Sequence, residues 1–181
     1  SGAAAVASTM TNAYVKSTAA WAALLLLHSR RLTVTPARQR LHYSLSYARG
    51  LFDRLGQFRE DLRAGEDTEF NERIPADERV VFAPDVVTGH RYPTTSGAVL
   101  RDALRRGRLQ AANQGALAGG GPQRVRVAAG ASWNVGRAIM LAARSPRAER
   151  GRLVRALPLV VAGSVAYAAG ALTTFGPISQ D

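Results

Sequence analysis

Eleven of the thirteen carboxylates in this chain fall between residues 53 and 102. Carboxylates are what general acid–base catalysis and hard-metal binding require. The densest run, Gly65-Glu66-Asp67-Thr68-Glu69-Phe70-Asn71-Glu72-Arg73-Ile74, sets two adjacent acids after a glycine at the start of a helical pattern. A helix N-terminus favours the anionic form of a carboxylate, so an acid there is a ready base at neutral pH. The same placement has a plain structural meaning: such acids satisfy free N–H groups, each contributing about 0.3–1 kcal/mol. Glu69 and Arg73 likewise have the spacing of an ordinary i,i+4 pair. Downstream, His90 could ligate a metal or contact a phosphate, or could simply hydrogen-bond at the end of a strand. Arg105, Arg106 and Arg108 offer positive charge either to a diphosphate or to anionic lipid.

The elements that must position these residues follow from period and punctuation. Thr18–Ser29 is apolar and too short to cross a bilayer, so it reads as a buried or interfacial helix. Leu41–Tyr47 alternates and reads as a strand. Gly50–Leu55 is a short helix stopped by Gly56. Glu66–Ile74 is a helix ended by Pro75. Arg79–Phe82 and Val86–Thr88 are two strands split by Pro84 and Asp85. Thr95–Leu117 is an Arg-rich amphipathic helix. Gly119–Gly121 with Pro122 reads as a flexible joint, and Val125–Ala143 as a second helical stretch.

Charge is distributed unevenly over the 181 residues, whose net charge is +11. The acidic window carries a net −4, residues 1–52 carry +6 and residues 103–155 carry +10. Cysteine is absent, which excludes disulfides, cysteine-ligated metals and a thiol nucleophile. The apolar fraction of 46% is that of a folded chain. No secretory signal pattern opens it.

Leu157–Gly176 holds no charge and has the length of a membrane span, about 30 Å as a helix. Pro158 falls in the first turn of that run, where a missing N–H costs little. Ala162, Ala166, Gly170 and Thr174 recur every four residues as a ridge for close packing. Arg144, Arg147, Arg150, Arg152 and Arg155 precede it and favour a cytoplasmic position for the preceding residues.

The order of segments from Leu45 onward resembles the second half of the family-two inverting glycosyltransferases. In that family a strand with an SYRR-like end leads to a short helix, an LGGF-like turn, an acidic loop and a GED-T-E-F/L-x-x-R-I/L motif. A short β segment ending in Pro and then a His follow. Here these places are held by Leu45-Ser46-Tyr47-Ala48-Arg49, Leu55-Gly56-Gln57-Phe58, Gly65–Ile74, Val81-Phe82-Ala83-Pro84-Asp85 and Val87-Thr88-Gly89-His90. Leu100–Arg108 resembles the arginine-rich interface helix that comes next. Gln57 stands where the family usually has a second Gly, and Ser44 where many members carry Asn.

The resemblance implies an α/β fold, a partial GT-A-like nucleotide-diphospho-sugar transferase, followed by amphipathic helices and one transmembrane helix. It implies Asp67 as the base that deprotonates the acceptor hydroxyl, with Glu66 contacting the acceptor or holding its loop. His90, Arg105, Arg106 and Arg108 are then candidates for acceptor or diphosphate contacts, with His90 also a candidate metal ligand. The implied partners are a nucleotide-sugar donor, a glycan or lipid-linked acceptor and membrane lipid. A divalent metal, Mg or Mn, is implied for the complete enzyme, its ligands mostly outside this chain. No D-x-D is present to hold metal and donor. The chain is therefore expected to be the acceptor-side half of a longer protein, without transferase activity alone. The expected division is 1–92 acceptor-side half, 93–152 Arg-rich interfacial helices and 153–181 membrane helix and tail, with the catalytic part on the cytoplasmic face of the cell membrane.

A non-enzymatic basic membrane-binding module is the alternative, and it leaves the acidic window unexplained. Nucleic-acid binding, suggested by the basic balance, is set aside. No helix-turn-helix or RNP-like motif is visible, and the aromatics are few and scattered.

Overall fold

The computed structural model describes residues 2–29, 45–62, 65–118 and 121–173. The chain is mixed α/β and separates into two compact units. One comprises residues 1–11 and 30–90, the other residues 12–29 and 91–181.

Among the described residues the first unit is organised by a three-stranded sheet in the order β2-β1-β3. Strand β1 (Ala5–Asn12) is central and was not foreseen from its sequence. Its small side chains, Ala5, Ala7 and Thr9, are buried together with Met10. Its buried positions alternate with half-buried Val6 and Ser8, but both kinds of position carry small, mixed residues, so the polar–apolar alternation by which half-buried strands are recognised is missing. It pairs antiparallel with β2 (Leu45–Tyr47), setting Ala5 opposite Tyr47 and Ala7 opposite Leu45. Residues 41–44 of the expected strand lie outside the described residues. The two strands expected on either side of Pro84 are one, β3 (Val80–His90). It is an edge strand in this sheet, where a residue lacking N–H is tolerated.

Two short helices complete the unit. Helix α2 (Arg49–Leu55) is closed by Gly56, whose φ of 79° favours glycine and whose N–H bonds the Phe52 carbonyl at 3.0 Å. Helix α3 (Glu66–Arg73) opens at Gly65, with φ of 85°. Their apolar faces meet around Leu51 and Phe70, with Ala4 of the strand segment.

The second unit is helical. Helix α1 (Thr18–His28) is capped by Ser17, whose Oγ accepts from the Ala20 N–H at 3.2 Å, and is buried from Ala19 to Leu25. The His28 ring is hydrogen-bonded to the Tyr92 hydroxyl at 2.9 Å. Three long helices follow: α4 (Ser96–Ala118), α5 (Gly121–Arg144) and α6 (Arg147–Leu172). Helix α5 starts earlier than expected, so Gly121 and Pro122 form its first turn rather than a joint. Proline suits that turn because the N–H it lacks has no helical partner there.

Helix α6 is long and apolar enough to cross a membrane. It begins well before the uncharged run, so Pro158 lies inside it rather than in its first turn. The expected four-residue ridge is not the packing seam. Ala162 is exposed, Gly170 is buried, and Thr174 lies outside the described residues. A four-residue step drifts around a 3.6-residue helix. The buried seam instead takes steps of three and four through Leu153, Ala156, Val160 and Gly163, and returns at Gly170. The helix meets Leu26 of α1 at Gly163, and meets α4 where Gly107 lies against Tyr167 and Ala171, Gly170 against Leu104 and Arg108, and Ala111 beside Ala171.

Candidate functional site

Among the described residues, four acids of the window are paired with arginine, and Glu66 and Asp67 open a helix. Asp61 is paired with Arg59, Glu78 with Arg54, Glu69 with Arg73 at 3.1 Å, and Asp102 with Arg105 at 3.1 Å and Arg106 at 2.8 Å. Burial pushes the Asp102 carboxyl up, but the hydrogen bonds from Arg106 and Arg105 outweigh it and leave the group below its ordinary value. The Arg59 hydrogen bond likewise holds the exposed Asp61 carboxyl down.

Glu66 and Asp67 occupy the first turn of α3, both half-buried. Asp67 Oδ1 accepts from the Thr68 N–H at 2.8 Å and from the Thr68 hydroxyl at 3.3 Å. This bond satisfies one of the N–H groups that a helix start leaves without an intrahelical partner. It also fixes the carboxylate over the positive end of the helix.

What orients α3 is a cluster that joins three separated stretches of sequence. The Phe70 ring lies 5.0 Å from Tyr47, 4.9 Å from Phe52 and 5.0 Å from Phe58, centroid to centroid. Aromatic pairs of this kind contribute about 0.5–1.5 kcal/mol each beyond the area they bury. The Tyr47 hydroxyl donates to Asn71 Oδ1 at 2.7 Å. The Arg73 guanidinium lies 4.8 Å above the Phe70 ring and donates to the carbonyls of Leu55 and Gln57. Thus Leu45–Arg49, Leu55–Phe58 and Gly65–Ile74, quoted above for their order along the chain, meet in space. Gln57 contributes its backbone carbonyl to that junction.

The chain matches no protein-family model, no curated protein and no solved structure.

The remaining candidates are placed as follows. His90 ends β3 in the same unit as Glu66 and Asp67 and is half-buried. Arg105, Arg106 and Arg108 lie on α4 in the other unit. Arg105 and Arg106 share Asp102, while Arg108 is exposed. Among the described residues no three His, Asp or Glu side chains converge as a metal-binding group. Among the described residues none joins His90 in such a group, and no step below runs through a metal. The role of Arg73 went unread in the sequence beyond its i,i+4 pair with Glu69. Its spacing from Leu55 and Gln57 carries no periodic signal, because the contact is made across a turn.

Proposed function

We propose that residues 45–90 form the acceptor side of an inverting glycosyl-transfer site, with Asp67 as general base. The acceptor hydroxyl would lose its proton to the Asp67 carboxylate as its oxygen attacks the anomeric carbon. The bond from that carbon to the donor's diphosphate breaks in the same displacement, and the nucleoside diphosphate leaves with the electron pair. Glu66 would contact the acceptor or steady the turn that precedes α3. The supporting observation is the convergence of the three stretches on Phe70 and Arg73, which holds Glu66 and Asp67 together at one helix start. Catalysis needs positioning before pKa, and a base on a rigidly packed helix meets that need.

Donor binding is assigned to residues outside this sequence, which has no D-x-D. Mg or Mn would belong with that donor site. The charge developing on the leaving diphosphate requires cations. Arg108, which is not among the arginines paired with Asp102, is the first of the three arginines to test for that part. The helical unit would hold the protein at a membrane, with the catalytic part on the cytoplasmic side of that membrane.

The test is sugar transfer from nucleotide sugars by the chain expressed together with whatever coding sequence precedes Ser1. Asp67→Asn is expected to lower transfer by roughly 10²–10⁴-fold, the range for loss of general base catalysis. A transfer rate unchanged by Asp67→Asn removes the assignment. The second reading is a non-enzymatic basic membrane module. It is favoured by the exposure of Arg101, Arg105 and Arg108 on α4, and it predicts that Asp67→Asn changes nothing measurable.

A further inference from the structure

Building on the membrane attachment proposed above, we infer that the helical unit lies in the interface of one bilayer leaflet and that α6 does not cross the bilayer. The occupant of its exposed apolar face is the headgroup–acyl boundary of an anionic leaflet.

Four observations within this unit carry the inference. First, the outward positions of α6 change character at Arg155. Arg147, Arg150 and Arg155 are exposed before that point, and Val161, Val165 and Leu172 after it. The uncharged part of α6, from Ala156 to Leu172, is about 26 Å long, within the lower range of a span, so the crossing described below, and not length, argues against one.

Second, α5 is apolar on the face it leaves open. Trp133 is 69% exposed, Val125 62% and Ile139 53%, with Met140 beside them. The opposite face, with Val127, Ala131, Ala138 and Leu141, is already spent on packing. A surface helix with two apolar faces has one more than its own fold uses.

Third, α4 crosses α6 within the uncharged half. Gly107 lies against the Tyr167 and Ala171 backbone, and Gly170 against the backbone of Leu104 and Arg108. A spanning α6 would carry Arg105, Arg106 and Arg108, one turn or less from that crossing, to hydrocarbon depth. Charged side chains are costly there. Lying flat, the unit keeps those arginines at or above the headgroups.

Fourth, the rim is of one sign. No carboxylate occurs between Asp102 and Glu149, whereas exposed Arg126 and Arg144 border the open α5 face. An apolar face edged by arginine is what an anionic membrane surface attracts.

The chain contains no cysteine, so single cysteines report position without background. Glu60→Cys, in the acidic unit, and Ser179→Cys, beyond α6, are each introduced into the full chain. Sealed membranes are then treated with a membrane-impermeant maleimide. The inference requires both positions to react from the same side. Labelling from opposite sides overturns it while leaving membrane attachment intact. Recovery of the unsubstituted chain in the soluble fraction, as monomer or as dimer, overturns the attachment itself. In the second arm, Trp133→Glu with Ile139→Glu, both at exposed positions, is expected to lower retention on anionic vesicles by roughly tenfold or more. Helix content by circular dichroism should be unchanged. Unaltered retention would show that this face is not the one that binds.

Discussion

One residue change should have opposite effects at two glycines of the helical unit. A methyl carbon on Gly107 would sit 2.9 Å from the Tyr167 carbonyl carbon and 3.0 Å from the Ala171 nitrogen, with the Tyr167 carbonyl oxygen nearer still. Carbon atoms in comfortable contact are about 3.5–4.0 Å apart, so α4 and α6 must separate by roughly 1 Å. Backbone atoms of a packed helix cannot swing aside as a side chain can. Overpacking costs about 1–3 kcal/mol, and a clash with backbone atoms belongs in the upper part of that range, about 2–3 kcal/mol, against which alanine's better helix propensity returns about 1 kcal/mol. The net expectation for Gly107→Ala is a loss of about 1–2 kcal/mol. For a chain of this size that is a fall of roughly 2–8 °C in melting temperature. At Gly151 of α6 a methyl carbon would meet nothing within 4 Å. Gly151→Ala should therefore keep only the propensity gain and raise the melting temperature by about 2–4 °C.

The assay is thermal unfolding followed by circular dichroism at 222 nm, in one detergent or buffer for all variants. Gly170→Ala belongs in the same series, because its methyl would meet the Leu104 and Arg108 backbone across the same crossing. Once Gly107→Ala has parted the helices, the added cost of Gly170→Ala should shrink, so the pair should be less than additive. Equal shifts for Gly107→Ala and Gly151→Ala would refute the close glycine-mediated approach of α4 and α6.

Replacing Arg73 by Met keeps an apolar stem on Phe70 but removes the bonds to the Leu55 and Gln57 carbonyls. A loss of roughly 2–3 kcal/mol is expected, read as a lowered urea midpoint. Lysine should rescue it only in part, since one ammonium cannot reproduce the guanidinium fork. Asp102 supplies a pH dependence. Its folded-state pKa is depressed, so its contribution to stability is full above the ordinary aspartate value near 4. It is lost as pH falls through the lower folded value. Asp102→Asn should flatten the stability–pH curve of the helical unit below about pH 4 and leave it unchanged between pH 6 and 8. A slope that survives the substitution would place the titrating group elsewhere.

Local signals served best where the chain punctuates itself. Ser17, Gly56 and Gly65 mark helix limits found within a residue or two of expectation, because capping and left-handed glycines are written in single residues; the start of α6 at Arg147, after Pro146, lies ten residues before the expected Leu157. Strand β1 was missed because Ala-Val-Ala-Ser-Thr-Met-Thr-Asn is small and mixed, and its burial comes from neighbours on both sides. The split assigned at Pro84 failed because proline's effect depends on strand position, which periodicity along one strand does not reveal. The carboxylates at the start of α3 were visible in the sequence as a pair. Their support by Tyr47, Phe58 and Arg73 was not, since those contacts join residues far apart along the chain.

The charge division along the chain also changes meaning in three dimensions. In the acidic window arginine serves carboxylate: Arg54, Arg59 and Arg73 each take up one acid. In residues 103–155 the ratio is reversed, with one acid against eleven arginines. Pairing within the chain cannot neutralise that excess, so it must meet water or an external anion. Where it meets that anion is set by packing. The glycine contact between α4 and α6 fixes the height of Arg105, Arg106 and Arg108 relative to the apolar half of α6. Stability at Gly107 and the geometry of the proposed membrane attachment are therefore coupled. A substitution that spreads the crossing should shift both the melting temperature and the depth at which the arginines face the bilayer.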